Sequence, residues 1–161
     1  MIRLGLRALC LLILLAPPTL ALGQEVDWKT TVGEAVETLQ HYLRFDTTNP
    51  PGDVTAVAQF LQRILEKENI PVTLYKAAPG KISLAAWLRG SGSAKPILLL
   101  HHMDVVPADA NRWNGVNPFG GELKDGHIWG RGAIDMKGTG VLQLYAFLTL
   151  ARQKIPLDRD I

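Results

Sequence analysis

The chain has 161 residues and a mass of 17.7 kDa, with 47% apolar, 20% charged and 7% aromatic residues. That balance buries enough surface to offset ordering entropy, which excludes a disordered chain, and the length accommodates one domain. The formal charge of +2 includes Arg3 and Arg7 at the start; the fifteen remaining Lys and Arg equal the fifteen Asp and Glu. A neutral chain gives no electrostatic reason to expect nucleic acid or an anionic membrane as partner.

Residues 1–23 have the three parts of a secretory signal: basic Arg3 and Arg7, an apolar stretch from Ala8 to Ala16, and small residues at Ala21 and Gly23. Cleavage after Gly23 is expected, leaving Gln24 as the mature start and an exported, periplasmic or secreted, protein. A retained anchor fits less well, because Pro17 and Pro18 interrupt a run that falls short of the roughly 20 residues a spanning helix needs. No stable membrane span is therefore expected after cleavage. The single cysteine, Cys10, leaves with the leader. Lipidation at Cys10 is disfavoured because the apolar core of the leader follows that residue. Cysteine nucleophiles, cysteine zinc sites and disulfides are excluded together in the mature chain, and an exported chain without disulfides suits a bacterial periplasm or secreted fraction.

Beyond the leader the pattern alternates helix with strand. Asp27 is placed to cap a helix over about Trp28 to Phe45, with Val32, Ala35, Val36, Leu39, Tyr42 and Leu43 at helical spacing. The segment Asp46 to Asp53, DTTNPPGD, cannot continue it. Asp53 then caps a second helix with Val57, Leu61, Ile64 and Leu65 inside. Three strands follow, at Val72 to Lys76, Ile82 to Leu88 and Ile97 to His101; the last, ILLLH, reads as a strand covered on both faces. Asp125-Gly126 between Glu122–Lys124 and His127–Trp129 reads as a tight hairpin. A helix over about Val141 to Arg152 carries Leu142, Tyr145, Ala146 and Leu148, and Ile155 to Ile161 reads as the lead-in to another strand. The pattern predicts an α/β layered domain.

The strongest chemical feature is HHMDVVP, His101 to Pro107, at the end of an apolar strand, where ligand sites of open α/β sheets collect. In extended geometry His102 and Asp104 project to one side and His101 to the other. A carboxylate beside an imidazole takes the proton of one ring nitrogen and leaves the other free for a metal. Alone, this His-x-Asp triplet fits a hydrogen-bonded histidine at a strand end better than a ligand. Asp135, in the glycine-rich GRGAIDMKG that precedes a helix, shifts the balance. One histidine and two carboxylates suit zinc, with cobalt or manganese as substitutes, but a catalytic zinc normally takes three protein ligands, so the chain holds part of a site.

Other candidates carry less. His41 and His127 fit surface or packing roles. Gly130 to Gly132 around Arg131 lacks the GxxxxGK[ST] pattern of a phosphate loop. Lys137 fits either support of the site or the cap of a turn. Trp113, Phe119 and Trp129 fit a pocket lining less well than packing under their own loop, and Ser91 and Ser93 in GSGS read as a flexible turn.

Together TTNPPGD, LLLHHMDVVPAD, Trp113 with NPFGG, and DGHIWGRGAIDMKG, in this order and spacing, resemble the zinc-dependent family of aminoacylases, carboxypeptidases and related amidohydrolases, metallopeptidase family twenty. Glutamate carboxypeptidase, acetylornithine deacetylase and succinyl-diaminopimelate desuccinylase belong to it. The resemblance implies a three-layer α/β/α sandwich with a mixed, mostly parallel sheet, of which residues 24–161 are the N-terminal part, without the lid or dimerisation domain. It implies that His102 is a ligand of one zinc, that Asp135 bridges two zinc ions, and that Asp104 is the catalytic aspartate orienting the histidine. A cis peptide after Asp135 is implied as well. The implied reaction is metal-assisted hydrolysis of an amide in a small peptide or an N-acyl amino acid, by a full-length protein open to homodimer formation. The family's general base, a glutamate of a Glu-Glu pair, and its remaining ligands fall beyond Ile161, so the chain alone is expected to bind zinc weakly and turn over little. A binding remnant without the base is the alternative from another class.

Overall fold

The computed structural model describes residues 25–161; the expected leader, its cleavage point and Cys10 lie outside them. Helix α1 spans Trp28–Leu43. Its start is chemically specified: Asp27 accepts from the Thr30 amide at 3.0 Å and from the Thr30 hydroxyl at 2.7 Å, satisfying a backbone donor of the first turn. The helix ends two residues before the expected limit. Tyr42 and Leu43 are fully buried, whereas Val32, expected inside, is exposed.

The DTTNPPGD segment leads into α2, Thr55–Lys67. Val54 holds the cap position, and Asp53 accepts from the Thr55 amide at 2.8 Å. Val57, Ala58, Leu61 and Leu65 form its buried face. Strands β1, Val72–Ala78, and β2, Lys81–Ala86, pair antiparallel with Val72 opposite Ala86 and a bulge between Lys76 and Ala78. Alternation places Ile82, Leu84 and Ala86 against the helices. Strands β3, Glu122–Lys124, and β4, His127–Trp129, form the expected hairpin. Asp125 and Gly126 both have positive φ, 52° and 75°, as a two-residue turn matched to strand twist requires.

Helix α3 spans Gly138–Arg152 and starts three residues earlier than expected. Its inner face is Val141, Tyr145, Phe147 and Leu148; Leu142 and Ala146 lie outside. This helix is apolar nearly all round, so periodicity does not select its face. The core joins Tyr42 of α1, Val57, Leu61 and Leu65 of α2, and Val141, Tyr145, Phe147 and Leu148 of α3, each such side chain contributing about 1.5–3 kcal/mol. The Thr38 and Tyr145 hydroxyls bond at 2.8 Å inside it. Arg152 closes the helix layer, reaching Glu34 of α1 at 2.7 Å and Glu68 after α2 at 2.6 Å.

The chain thus has α/β elements, but its two ladders are antiparallel pairs, and parallel pairing among the described residues is confined to a bridge between Thr48 and Val105. The expected strand Ile97–His101 is corrected: it joins no ladder, and Leu98 and Leu100 are 81% and 71% exposed. An apolar strand is covered on both faces only when strands flank it and helices lie above and below. Ile155–Ile161 likewise forms no assigned strand. It threads between two segments, with Ile161 exchanging backbone bonds with Leu88 at 2.9 and 3.0 Å and Ile97 donating to the Asp160 carbonyl at 3.0 Å. No helix among the described residues is long and apolar enough to cross a membrane.

Candidate metal centre

Two loops meet at one end of the helix layer: DTTNPPGD, which leaves the C-terminal end of α1, and the turn that leads into α3. The DTTNPPGD loop is stitched to the segment after His102 by three bonds: the Thr47 hydroxyl donates to the Met103 carbonyl at 2.7 Å, the Val105 amide to the Thr47 carbonyl at 3.1 Å, and the Asn49 amide to the Val105 carbonyl at 2.8 Å. The turn Ala133–Lys137 packs on the same segment from the other side. Gly132, at φ 89°, makes that approach possible, since a Cβ there would lie 2.6 Å from Val105 Cγ1. Behind the turn, Lys137 is fully buried and donates from Nζ to the carbonyls of Tyr42 at 3.2 Å and Phe45 at 2.8 Å. It thereby serves carbonyls at the C-terminal end of α1, of which that of Tyr42 also accepts from the Phe45 amide at 3.3 Å. Burial pushes its ammonium down to about 8, against the opposing pull of Asp46.

This frame brings His102 and Asp135 together across 33 residues, with Nε2 3.0 Å from Oδ1. The other ring nitrogen, Nδ1, lies 2.9 Å from the Asp104 carbonyl oxygen and 3.4 Å from its carboxylate Oδ1. A carbonyl only accepts, so Nδ1 carries a proton and Nε2 is the nitrogen turned toward Asp135. The expected pairing of imidazole and Asp104 therefore runs first through the backbone oxygen, with the carboxylate second. Desolvation pulls the His102 pKa down, but the bonds to the Asp104 carbonyl and Asp135 carboxylate and the charges of both residues outweigh it and raise the value. His101 faces the opposite way, its Nε2 3.4 Å from the Tyr42 hydroxyl. Burial, with help from His102, lowers its pKa; burial, with help from Asp104, raises that of Tyr42. The Asp135–Met136 peptide is cis.

The pair has the donor chemistry of a divalent cation site. Tetrahedral ligands each about 2.1 Å from a zinc ion stand about 3.4 Å apart, and the 3.0 Å between Nε2 and Oδ1 lies close to that. Among the described residues no three His, Cys, Asp or Glu converge as a complete cage.

Of the aromatic candidates, Trp113 and Trp129, but not Phe119, line a cavity of about 470 Å³ that His102, Asp135 and Arg131 share. The Arg131 guanidinium stacks 5.4 Å from the Trp113 ring and donates to the Pro107 carbonyl. His41 stacks on Phe45 and packs tilted against Phe60, and His127 bonds the Asp125 carbonyl at 2.7 Å; both are packing roles. Ser91 and Ser93 contact each other and the Asp158 carbonyl. Asn49, unremarked in the sequence except as part of TTNPPGD, donates from Nδ2 to Asp104 Oδ2 at 2.9 Å.

Known proteins resemble the chain over the segment that carries these residues. Residues 98–161, which hold His102, Asp104 and Asp135, match Peptidase family M20/M25/M40. Over that segment the chain belongs to peptidase family M20. Among M20 and related proteins, the N-formyl-4-amino-5-aminomethyl-2-methylpyrimidine deformylase of Halalkalibacterium halodurans is 31% identical over 131 residues, covering 80% of this chain and 31% of the relative. Aminoacylase-1 of Sus scrofa is 32% identical over 114 residues, covering 70% and 28%. The M20 metallo-carboxypeptidase Sso-CP2 of Sulfolobus solfataricus superposes with a TM-score of 0.64 at 26% identity, covering 75% of this chain and 28% of that one. The chain thus spans about a third of the length of the curated relatives it matches.

Proposed function

We propose that this chain supplies the N-terminal part of the catalytic domain of an exported M20 hydrolase with a two-zinc centre, cleaving the amide bonds of peptides as a carboxypeptidase does. The observation that carries the reading is the convergence of His102 Nε2 and Asp135 Oδ1 at 3.0 Å within the M20 segment. His102 and Asp135 are its metal ligands in this chain and Asp104 the residue that orients His102. Cobalt and manganese are substitutes of matching donor preference. The complete domain is a three-layer α/β/α sandwich with a mostly parallel sheet, in which Ile97–His101 is a central strand. Export rests on the signal pattern of residues 1–23.

The residues divide the work. With the Nδ1 proton held at the Asp104 carbonyl, His102 presents its Nε2 lone pair to a cation. Asp135 brings the negative charge, from a turn clamped by Lys137. A divalent cation, when bound, polarises an amide carbonyl and makes a water acidic enough to attack it near neutral pH. Deacylation of N-acyl amino acids is the second reading, favoured by the likeness to an aminoacylase and a deformylase.

The test is expression of the gene from its own start to its own stop, zinc loading, and incubation with an N-blocked dipeptide and an N-acetyl amino acid. Release of the C-terminal residue, lost in His102→Ala and Asp135→Ala, is expected. Turnover confined to the N-acetyl amino acid selects the second reading. Zinc binding without turnover of either leaves a binding remnant and defeats both.

A further inference from the structure

We infer that Asn49 is a positioning residue: its side-chain amide aims the Asp104 carboxylate at His102 and so sets the hold of the site on a divalent cation. The inference rests on the reading of His102 and Asp135 as ligands. A carboxylate can only accept, so the Asn49 atom 2.9 Å from Asp104 Oδ2 is its NH₂ group. Engaging Oδ2 leaves Oδ1 turned toward His102, 3.4 Å from Nδ1. Two acceptors from one residue therefore flank Nδ1, the backbone oxygen at 2.9 Å and the carboxylate just behind it. Asp104 is half exposed on its own segment, and an unrestrained carboxylate there would rotate freely into solvent.

Asn49 is itself held rigidly. Its amide bonds the Val105 carbonyl at 2.8 Å, and Thr47 bonds both Met103 and Val105. Lys81 adds a brace from β2, its ammonium bonding the carbonyls of Pro51 and Gly52. The loop has no other evident reason to place an amide at this position, since Asp, Ser and Gly serve turn geometry equally well. Groups that support a metal-binding histidine from behind typically change metal affinity 10–100-fold when removed.

The substitution that separates the two roles is Asn49→Asp, which keeps size and turn preference but sets a carboxylate against a carboxylate; Asn49→Ala removes the donor. The 161-residue chain and both variants are titrated with Zn²⁺ while the ring nitrogens of His102 are followed by NMR, and the position of the Asp104 carboxylate is read from metal-free crystals. Expected are an Asp104 side chain displaced from His102 in both variants, zinc affinity about tenfold weaker in Asn49→Ala, weaker again in Asn49→Asp, and unchanged thermal midpoints. An Asp104 that stays in place, or Asn49→Asp binding zinc as the parent does, overturns the inference. A parent chain whose His102 does not respond to Zn²⁺, with Asp104 displaced in the variants, instead overturns the reading of the metal site.

Discussion

Lys137 is joined to Tyr42 twice, by the bond from Nζ to the Tyr42 carbonyl at 3.2 Å and by the seat of that ammonium 5.0 Å over the Tyr42 ring. The same tyrosine reaches His101 through its hydroxyl at 3.4 Å. The C-terminal end of α1 is therefore the common floor of both segments that carry the proposed ligands, His102 beside His101 and Asp135 beside Lys137.

Replacing Lys137 by Met tests that floor. The methionine fills the space but leaves the Phe45 carbonyl without its donor, whereas the Tyr42 carbonyl keeps the Phe45 amide at 3.3 Å; a buried acceptor left unpaired costs about 1–3 kcal/mol. Relief of ammonium desolvation, visible in the downward pKa shift, offsets only part of this, because the charged donor serves two carbonyls at once. The expected result is a lower thermal midpoint and faster hydrogen exchange at residues 133–137. An unchanged midpoint with unchanged exchange would show that packing alone holds the turn.

Gly132→Ala probes the approach of the turn to Val105. The residue sits at φ 89° and an added methyl would lie 2.6 Å from Val105 Cγ1. Left-handed backbone costs a non-glycine roughly 1–2 kcal/mol, and overpacking about 1–3 kcal/mol more. A loss of about 2–5 kcal/mol in chemical denaturation is expected from these two effects, and a loss under 1 kcal/mol counts against tight packing of the turn.

The legible and illegible parts of this chain separate by range. Asp27 with Thr30, and Asp125-Gly126 with its flanking strands, are decided by residues within a few positions of one another, so the α1 cap and the hairpin read directly from sequence. Ile97–His101 does not, because a strand exists only with ladder partners, and among the described residues it joins no ladder, its one backbone bond to a neighbour being that from Ile97 to the Asp160 carbonyl. The inner face of α3 was misplaced at Leu142 because neighbouring Val141, Leu144 and Leu148 are equally apolar. His102 and Asp135 stood out by residue type and glycine context. Asn49 did not, since an asparagine between Thr and Pro looks like turn chemistry until the fold brings it across 55 residues to Asp104.

Acid sensitivity follows from the tether of the C-terminal segment. The Asp160 carboxyl is held below its usual range by the Gly90 amide at 2.9 Å and the Arg89 guanidinium at 2.6 Å. A folded-state value below the unfolded one of 3.8 means that the contribution is fully present above about pH 4 and fades as pH falls through the folded value. The exposed pair makes the effect small. Asp160→Asn should unfold slightly earlier than the parent at pH 7, with the gap closing below pH 4. A gap constant from pH 7 to pH 3 would assign the effect to shape and not to charge.

The exposed run at Leu98 and Leu100 makes the last prediction, which turns on the difference between a core and an uncovered face. These side chains are 81% and 71% exposed, so the folded 161-residue chain gains little from them. Contiguous apolar surface on an unpaired extended segment does, however, invite edge-to-edge association. The double variant Leu98→Lys/Leu100→Lys should therefore keep the unfolding free energy of the dilute chain within about 0.5 kcal/mol, and its thermal midpoint nearly unchanged, as surface changes do. Its light scattering at high concentration should fall well below that of the parent. The same two changes in a protein that completes the sheet should abolish folding, because there the segment lies between layers and each buried lysine charge would lack a partner. Equal midpoints in both contexts would remove Ile97–His101 from the centre of the proposed sandwich.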